Sequence, residues 1–172
     1  LYDHGKISSE VIRQERFKQI LSAFQVMDAA LVETLSVEYL HHSPRKGGLV
    51  PHTTEVLTYL SKKYSLTVIT NGFEDIQFLK LASGNLTGFF NHVVTSQKAG
   101  FKKPAREIFD YALSLNNIKP HQAIMIGDNL LTDIAGARNA GVDVIYFNPE
   151  GVPSEAEVTH EIRSLAELYA LL

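Results

Sequence analysis

The sequence predicts an α/β fold: a parallel sheet covered by helices on both faces, with a helical appendage ahead of it. Three observations predict it. Four short apolar runs, LTVIT (66–70), HVVTS (92–96), AIMIG (123–127) and VDVIYF (142–147), are continuous rather than alternating, as in strands buried on both faces. Amphipathic stretches of helical period separate them, which is the βαβ texture of a parallel sheet. The residues up to about His42 show helical spacing only.

The elements follow in order. Ser8 or Ser9 caps a first helix whose apolar residues Val11, Ile12, Phe17, Ile20, Leu21 and Phe24 recur mostly three or four apart. Asp28 caps a second helix bearing Leu31, Leu35 and Leu40. SPRKGG, Ser43 to Gly48, punctuates the chain as a turn or hinge. A helix after Pro51 runs through HTTEVLTYLSKKY, and further helices begin near Phe73, Pro104 and Thr132. The last helix follows Ser164. Residues 1–46 are expected to form the appendage and 47–172 the layered core.

Composition narrows the function classes. The chain has 172 residues, 45% of them hydrophobic and 20% charged, which is ordinary for a globular domain. Its net charge of −3 gives no basic excess for a nucleic-acid polymer. There is no cysteine, which excludes disulfides and thiolate metal sites and fits a cytoplasmic protein. No apolar run approaches the roughly 18 residues of a membrane span.

Ligands of open parallel sheets bind beyond the carboxyl ends of the strands, so the candidate chemistry is sought there. The first run ends in Thr70, Asn71 and Gly72. A hydroxyl, an amide and exposed backbone N–H groups can hold phosphate oxygens; the same residues also make an ordinary strand-to-helix turn. In FKKP, Pro104 suits the first helical position, placing Lys103 near the N-cap. A lysine there can neutralise phosphate or bridge carboxylates, while Lys102 reads as a surface residue. In IMIGDNLLTDIAGARNAGV, Asp128 follows Gly127 at the end of an apolar run, and Asp133 falls in the first turn of the next helix. Two carboxylates converging across a loop suit Mg²⁺; separately, each also suits a turn or a helix N-terminus. Asn129 sits beside the pair. His41, His42 and His52 straddle the hinge without carboxylate support and read as structural or surface residues.

These motifs resemble the haloacid dehalogenase (HAD) superfamily. Thr70 and Asn71 in VITNG resemble its second motif, Lys103 its third, and Asp128 with Asp133 its fourth. KISSEVIRQERF, VITNGFEDIQ and KKPAREIFDYAL together resemble the branch of pyrimidine-nucleotide 5′-phosphatases with a small helical cap. The resemblance implies a Rossmann-like core and a helical cap inserted after the first strand. It further implies Mg²⁺-dependent hydrolysis of a small phosphorylated metabolite, a nucleotide among the candidates, through an aspartyl-phosphate. Implied roles are phosphate binding for Thr70, Asn71, Gly72 and Lys103, metal binding for Asp128 and Asp133, and a catalytic part for Lys103 and Asp133. Neither a nucleic-acid polymer nor a membrane is an expected partner.

One departure from the family pattern stands out. The family's first motif, D-x-D at the end of the first strand, is absent; Asp3 lacks both the preceding apolar strand and a second aspartate. The expectation is a fragment that begins inside the cap and lacks the central strand and its nucleophile, inactive as it stands. A groove of unpaired backbone should then run through the sheet. Competing readings are a haloacid dehalogenase, a phosphomutase, or a non-catalytic remnant that binds phosphate or a partner.

Overall fold

In the computed structural model, residues 9–172 are described, without the side chains of residues 9, 10, 13 and 14. Ser8 and Asp3 lie outside this range. Helix α1 (Ser9–Ala23) and helix α2 (Ala29–His42) form an antiparallel hairpin. The left-handed Gln25 (φ 61°) turns the chain between them. Asp28 caps α2 as expected, its carboxylate accepting the Leu31 N–H at 3.0 Å. The Phe17 and Tyr39 rings meet edge to face, 5.6 Å between centroids. No residue of α2 is buried, and Phe24 and Met27 at the hairpin's tip are 76% and 87% exposed. SPRKGG begins as a single 3-10 turn, Ser43–Arg45, around the buried Pro44.

The chain then enters its layered part through α3 (Thr53–Leu60), shorter than the expected HTTEVLTYLSKKY because the turns after Leu60 break the ladder. Strand β1 (Thr67–Thr70), α4 (Glu74–Ser83), β2 (His92–Thr95) and the short α5 (Ser96–Ala99) follow. Next come α6 (Arg106–Leu115) and β3 (Ile124–Gly127). A π-helical stretch, Leu130–Ala135, runs directly into α7 (Gly136–Asn139). Strands β4 (Asp143–Phe147) and β5 (His160–Ile162) and helix α8 (Leu168–Leu171) complete the order. Ser83 Oγ donates to the Pro44 carbonyl at 3.0 Å, tying α4 to the base of the hairpin.

All strand pairs are parallel, but they form two sheets: β1–β2, and β3–β4–β5. The four apolar runs became β1 to β4, each within a residue of its expected bounds. Side chains alternate along β4. Val144 and Tyr146 join Ile108, Phe109, Leu113 and Ile134 on the α6 face. Ile145 packs with Val56, Leu60, Ile162 and Leu168 on the α3–α8 face. The sheet is therefore covered on both sides, as continuous apolar strands require.

Between β1 and β3 lies a groove of about 400 Å³. Thr67 and Ile69 line one wall, Ile124 and Ile126 the other, and Phe109 and Leu113 of α6 help close it. Among the described residues no strand pairs with the groove-facing edge of either β1 or β3.

Candidate active site at the strand rim

The predicted site residues follow the carboxyl ends of β1 and β3, and Lys103 joins the two loops. Thr70 ends β1 and spends its hydroxyl on the turn: Gly72 N–H donates to Oγ1 at 2.9 Å. Asn71 turns toward the loop after α5. Its Nδ2 donates to the Lys103 carbonyl at 2.9 Å and its Oδ1 accepts the Lys103 N–H at 2.8 Å. One amide thus holds both main-chain groups of Lys103, fixing where that side chain starts.

The helical position expected for Pro104 is corrected. The Lys103–Pro104 peptide is cis, and Ala105 N–H donates to the Lys102 carbonyl at 2.8 Å, closing a four-residue turn. Helix α6 begins only at Arg106, with Ala105 as its N-cap. Lys103 therefore stands in a turn rather than at a helix N-cap, and the helix field is not what it meets. It is only 9% exposed, and its Nζ donates to Asp133 Oδ1 at 2.6 Å.

Asp133 is held from several sides. Thr132 Oγ1 donates to Oδ1 and Asn129 N–H to Oδ2, each at 3.2 Å. Asn129 in turn caps the π-helical stretch, its Oδ1 accepting Leu131 N–H at 3.1 Å and Thr132 N–H at 2.8 Å. This stretch starts at Leu130, two residues before the predicted helix start. Two glycines permit the approach. A Cβ on Gly127 would stand 2.5 Å from Asp133 Cβ, so a bare strand end lets the carboxylate lie against β3. A Cβ on Gly136 would stand 2.9 Å from Pro104 Cα, so the helix can rest on the lysine turn.

Asp128 differs from Asp133. It is exposed at the end of β3, and among the described residues its carboxylate has no hydrogen-bond or ion-pair partner. The rim thus offers a sequestered ion pair beside one open carboxylate. Oxygen donors alone suit a hard divalent cation, and Mg²⁺ needs only one or two carboxylates beside water and phosphate oxygens. Asp128 and Asp133 fit that modest demand. Among the described residues no three His, Cys, Asp or Glu side chains come together. His42 lies 2.9 Å from Glu38 on α2, and His52 stands in the left-handed region (φ 67°) as the N-cap of α3.

The sequence reading missed what holds the lysine. Only the Asn71 clamp and the Gly127 clearance reveal that the loops after β1, α5 and β3 are joined through Lys103. An asparagine and a glycine at strand ends were visible signals, but their partners lie far along the chain.

Comparison with known proteins decides the family. The model of the haloacid dehalogenase-like hydrolases matches residues 7–147. The chain belongs to that family. YfnB of Bacillus subtilis, named as a HAD-hydrolase, is 30% identical over 99% of this chain and 73% of its own length. A crystal structure of YfnB bound to magnesium superposes with a TM-score of 0.88 at 28% identity, covering 99% of this chain and 75% of that one. The pyrimidine 5′-nucleotidase YjjG of Escherichia coli is 29% identical over 99% of this chain and 76% of its own. A glyceraldehyde 3-phosphate phosphatase of Methanothermobacter thermautotrophicus is 43% identical, over 64% of this chain and 48% of its own. The chain thus spans about three quarters of the first two relatives and about half of the third. Among the described residues no helix is long and apolar enough to cross a membrane.

Proposed function

We propose that this HAD-like chain is the larger part of a Mg²⁺-dependent phosphomonoester hydrolase, with residues 1–46 as cap and 47–172 as core. The observation that carries the reading is the buried Lys103–Asp133 pair at the rim, with Asn71 fixing the lysine backbone and Asp128 left open beside it. The fixed Lys103 cation stabilises the charge that a phosphoryl group develops in transfer. Mg²⁺, when bound by Asp128 and Asp133, supplies further neutralisation of that charge.

The nucleophile in this reading is an aspartate at the end of a strand seated between β1 and β3. The groove supports it: its walls are largely apolar, β1 and β3 line it from opposite sides, and the residues after both strands, Asn71 and Asp133, bond the same Lys103. The aspartate oxygen forms a bond to phosphorus as the ester P–O bond breaks, and the leaving alkoxide takes a proton from the second aspartate of the D-x-D motif, which recovers one from the attacking water in the next step. Water then cleaves the aspartyl-phosphate to inorganic phosphate. Lys103 balances the negative charge throughout, oriented by Asp133. The substrate is a small phosphorylated metabolite, with nucleotides in the candidate set because of the relative YjjG, and the enzyme is cytoplasmic.

Dehalogenation is the weaker reading. A departing halide is not a polyanion and needs no metal, which leaves the open Asp128 carboxylate without a task. The deciding experiment uses the protein with its upstream coding sequence. Phosphatase turnover is expected to fall at least about 100-fold in Asp128→Ala and on chelation with EDTA. Activity that survives both refutes the assignment, and an upstream sequence without a D-x-D motif leaves the non-catalytic remnant as the better reading.

A further inference from the structure

A second cavity, of about 310 Å³, lies where the helical hairpin meets the core. Its core wall is the loop after β1, Asn71 to Phe73, so it opens directly beside the phosphate donors of the rim. Its other walls come from α1, α2 and α4. Among the described residues two cations face it, Arg16 and Lys80, and no acidic side chain lines it. Arg16 lies over the Tyr39 ring, 4.6 Å from the centroid, which spreads the guanidinium along the wall and holds it in place. Among the described residues neither cation has a carboxylate partner. The rest of the lining is mostly apolar or aromatic, with Ile12, Leu40, Phe73 and Ile76 prominent.

Two cations that have no carboxylate partner among the described residues, Arg16 half-buried and Lys80 exposed at the rim of a largely apolar wall, favour an anion brought in by a ligand. The volume is at the small end for ligand cavities, which restricts the ligand to a few carbons beyond the transferred phosphate. We propose that this cavity receives the leaving group of the substrate, and that this group is a short carbon chain ending in a second anion, phosphate or carboxylate, bound by Arg16 and Lys80. The proposal rests on the hydrolase reading for the word substrate; the binding itself does not. It narrows the candidate set given above, ranking esters with an uncharged leaving group, nucleoside monophosphates included, below those that carry a second anion.

The test is calorimetric titration of the chain with matched ligands that differ in the second anion alone: ribulose 1,5-bisphosphate against ribulose 5-phosphate, and 3-phosphoglycerate against glyceraldehyde 3-phosphate. The member of at least one pair that carries the second anionic group is expected to bind about 10- to 100-fold more tightly, the usual weight of a charge-assisted contact. Arg16→Gln and Lys80→Gln should each shrink that ratio, and together abolish it. Circular dichroism of each variant verifies that the hairpin is intact, and Lys80→Gln carries the test alone should Arg16→Gln unfold α1. The pair that responds identifies the anion. Equal affinities within both pairs, a ratio that survives the double substitution, or no binding of any ligand overturns the proposal. None of these outcomes depends on turnover, so a failed hydrolase reading shows itself separately, as absent phosphatase activity in the longer protein.

Discussion

The inner and outer strands of this molecule have exchanged their usual burial. In a parallel sheet covered on both faces the middle strands are ordinarily the most enclosed. Here β1 and β3, which face each other across the groove, are half-buried along their whole length. Their outer neighbours are the enclosed ones: β2 buries Val94 and Thr95, and β4 buries Val144, Ile145 and Tyr146. The lesson is that burial falls off toward the groove, where among the described residues neither β1 nor β3 has a pairing strand. At the rim the two halves are nevertheless connected, because Asn71 after β1 and Asp133 after β3 grip the same lysine.

Filling the groove should break the contrast most visibly. A peptide with an apolar run followed by Asp-x-Asp, titrated onto the chain, is expected to slow amide exchange in β1 and β3 by at least about tenfold, with β2 and β4 little changed. Exchange that stays fast in both inner strands would show that the groove is not a strand site. Next in size is the rim connection. Lys103→Ala leaves the Asp133 carboxylate buried without its cation and should cost about 3–5 kcal/mol in urea unfolding. A loss below 1 kcal/mol would mean the halves do not depend on this pair.

Two core truncations measure the strand contrast itself. Ile145→Ala, at a position with no exposed surface, should cost about 3–4 kcal/mol, and Ile126→Ala, on the groove wall, about 1–2. Equal costs would mean the groove is already filled in solution. The smallest effect lies beyond the outer strands. Glu167 accepts backbone N–H bonds from Ser164 and Arg163, both at 2.8 Å, which hold its carboxyl below the ordinary carboxylate range. A lowered pKa contributes stability that is present above the ordinary value and lost as pH falls through the folded one. Glu167→Gln should flatten the stability profile slightly at that acidic end and leave neutral pH nearly untouched.

Most of the fold was legible because continuous apolar runs have few alternatives: β1 to β4 appear where LTVIT, HVVTS, AIMIG and VDVIYF stand. Strand β5 was not, since HEI carries no apolar pattern and is recruited by pairing with β4. Pro104 misled because its fixed φ suits a helix start and a turn equally, and the sequence does not say which peptide isomer precedes it. At the rim the residue types were visible and their contacts were not. Asn71 reads as a turn former or a phosphate donor; its grip on Lys103 spans 32 positions, beyond any local pattern. The hairpin was legible as helices, yet its apolar spacing leaves Phe24 and Met27 in solvent rather than in a core.

The divided sheet bears on how the chain acquires its structure. Thr67 pairs with His92, and Ile124 with Asp143, so each of these two pairs closes through a single βα crossover. The pairing that would span the greatest chain length, β1 against β3, is the one the described residues do not make. Low contact order favours fast formation of each half. Helix α6 then works as a splint, packing on β1, β2 and α7 together. On that ground the two pairs are expected to form early, each from contacts close along the chain, with α6 joining them afterwards.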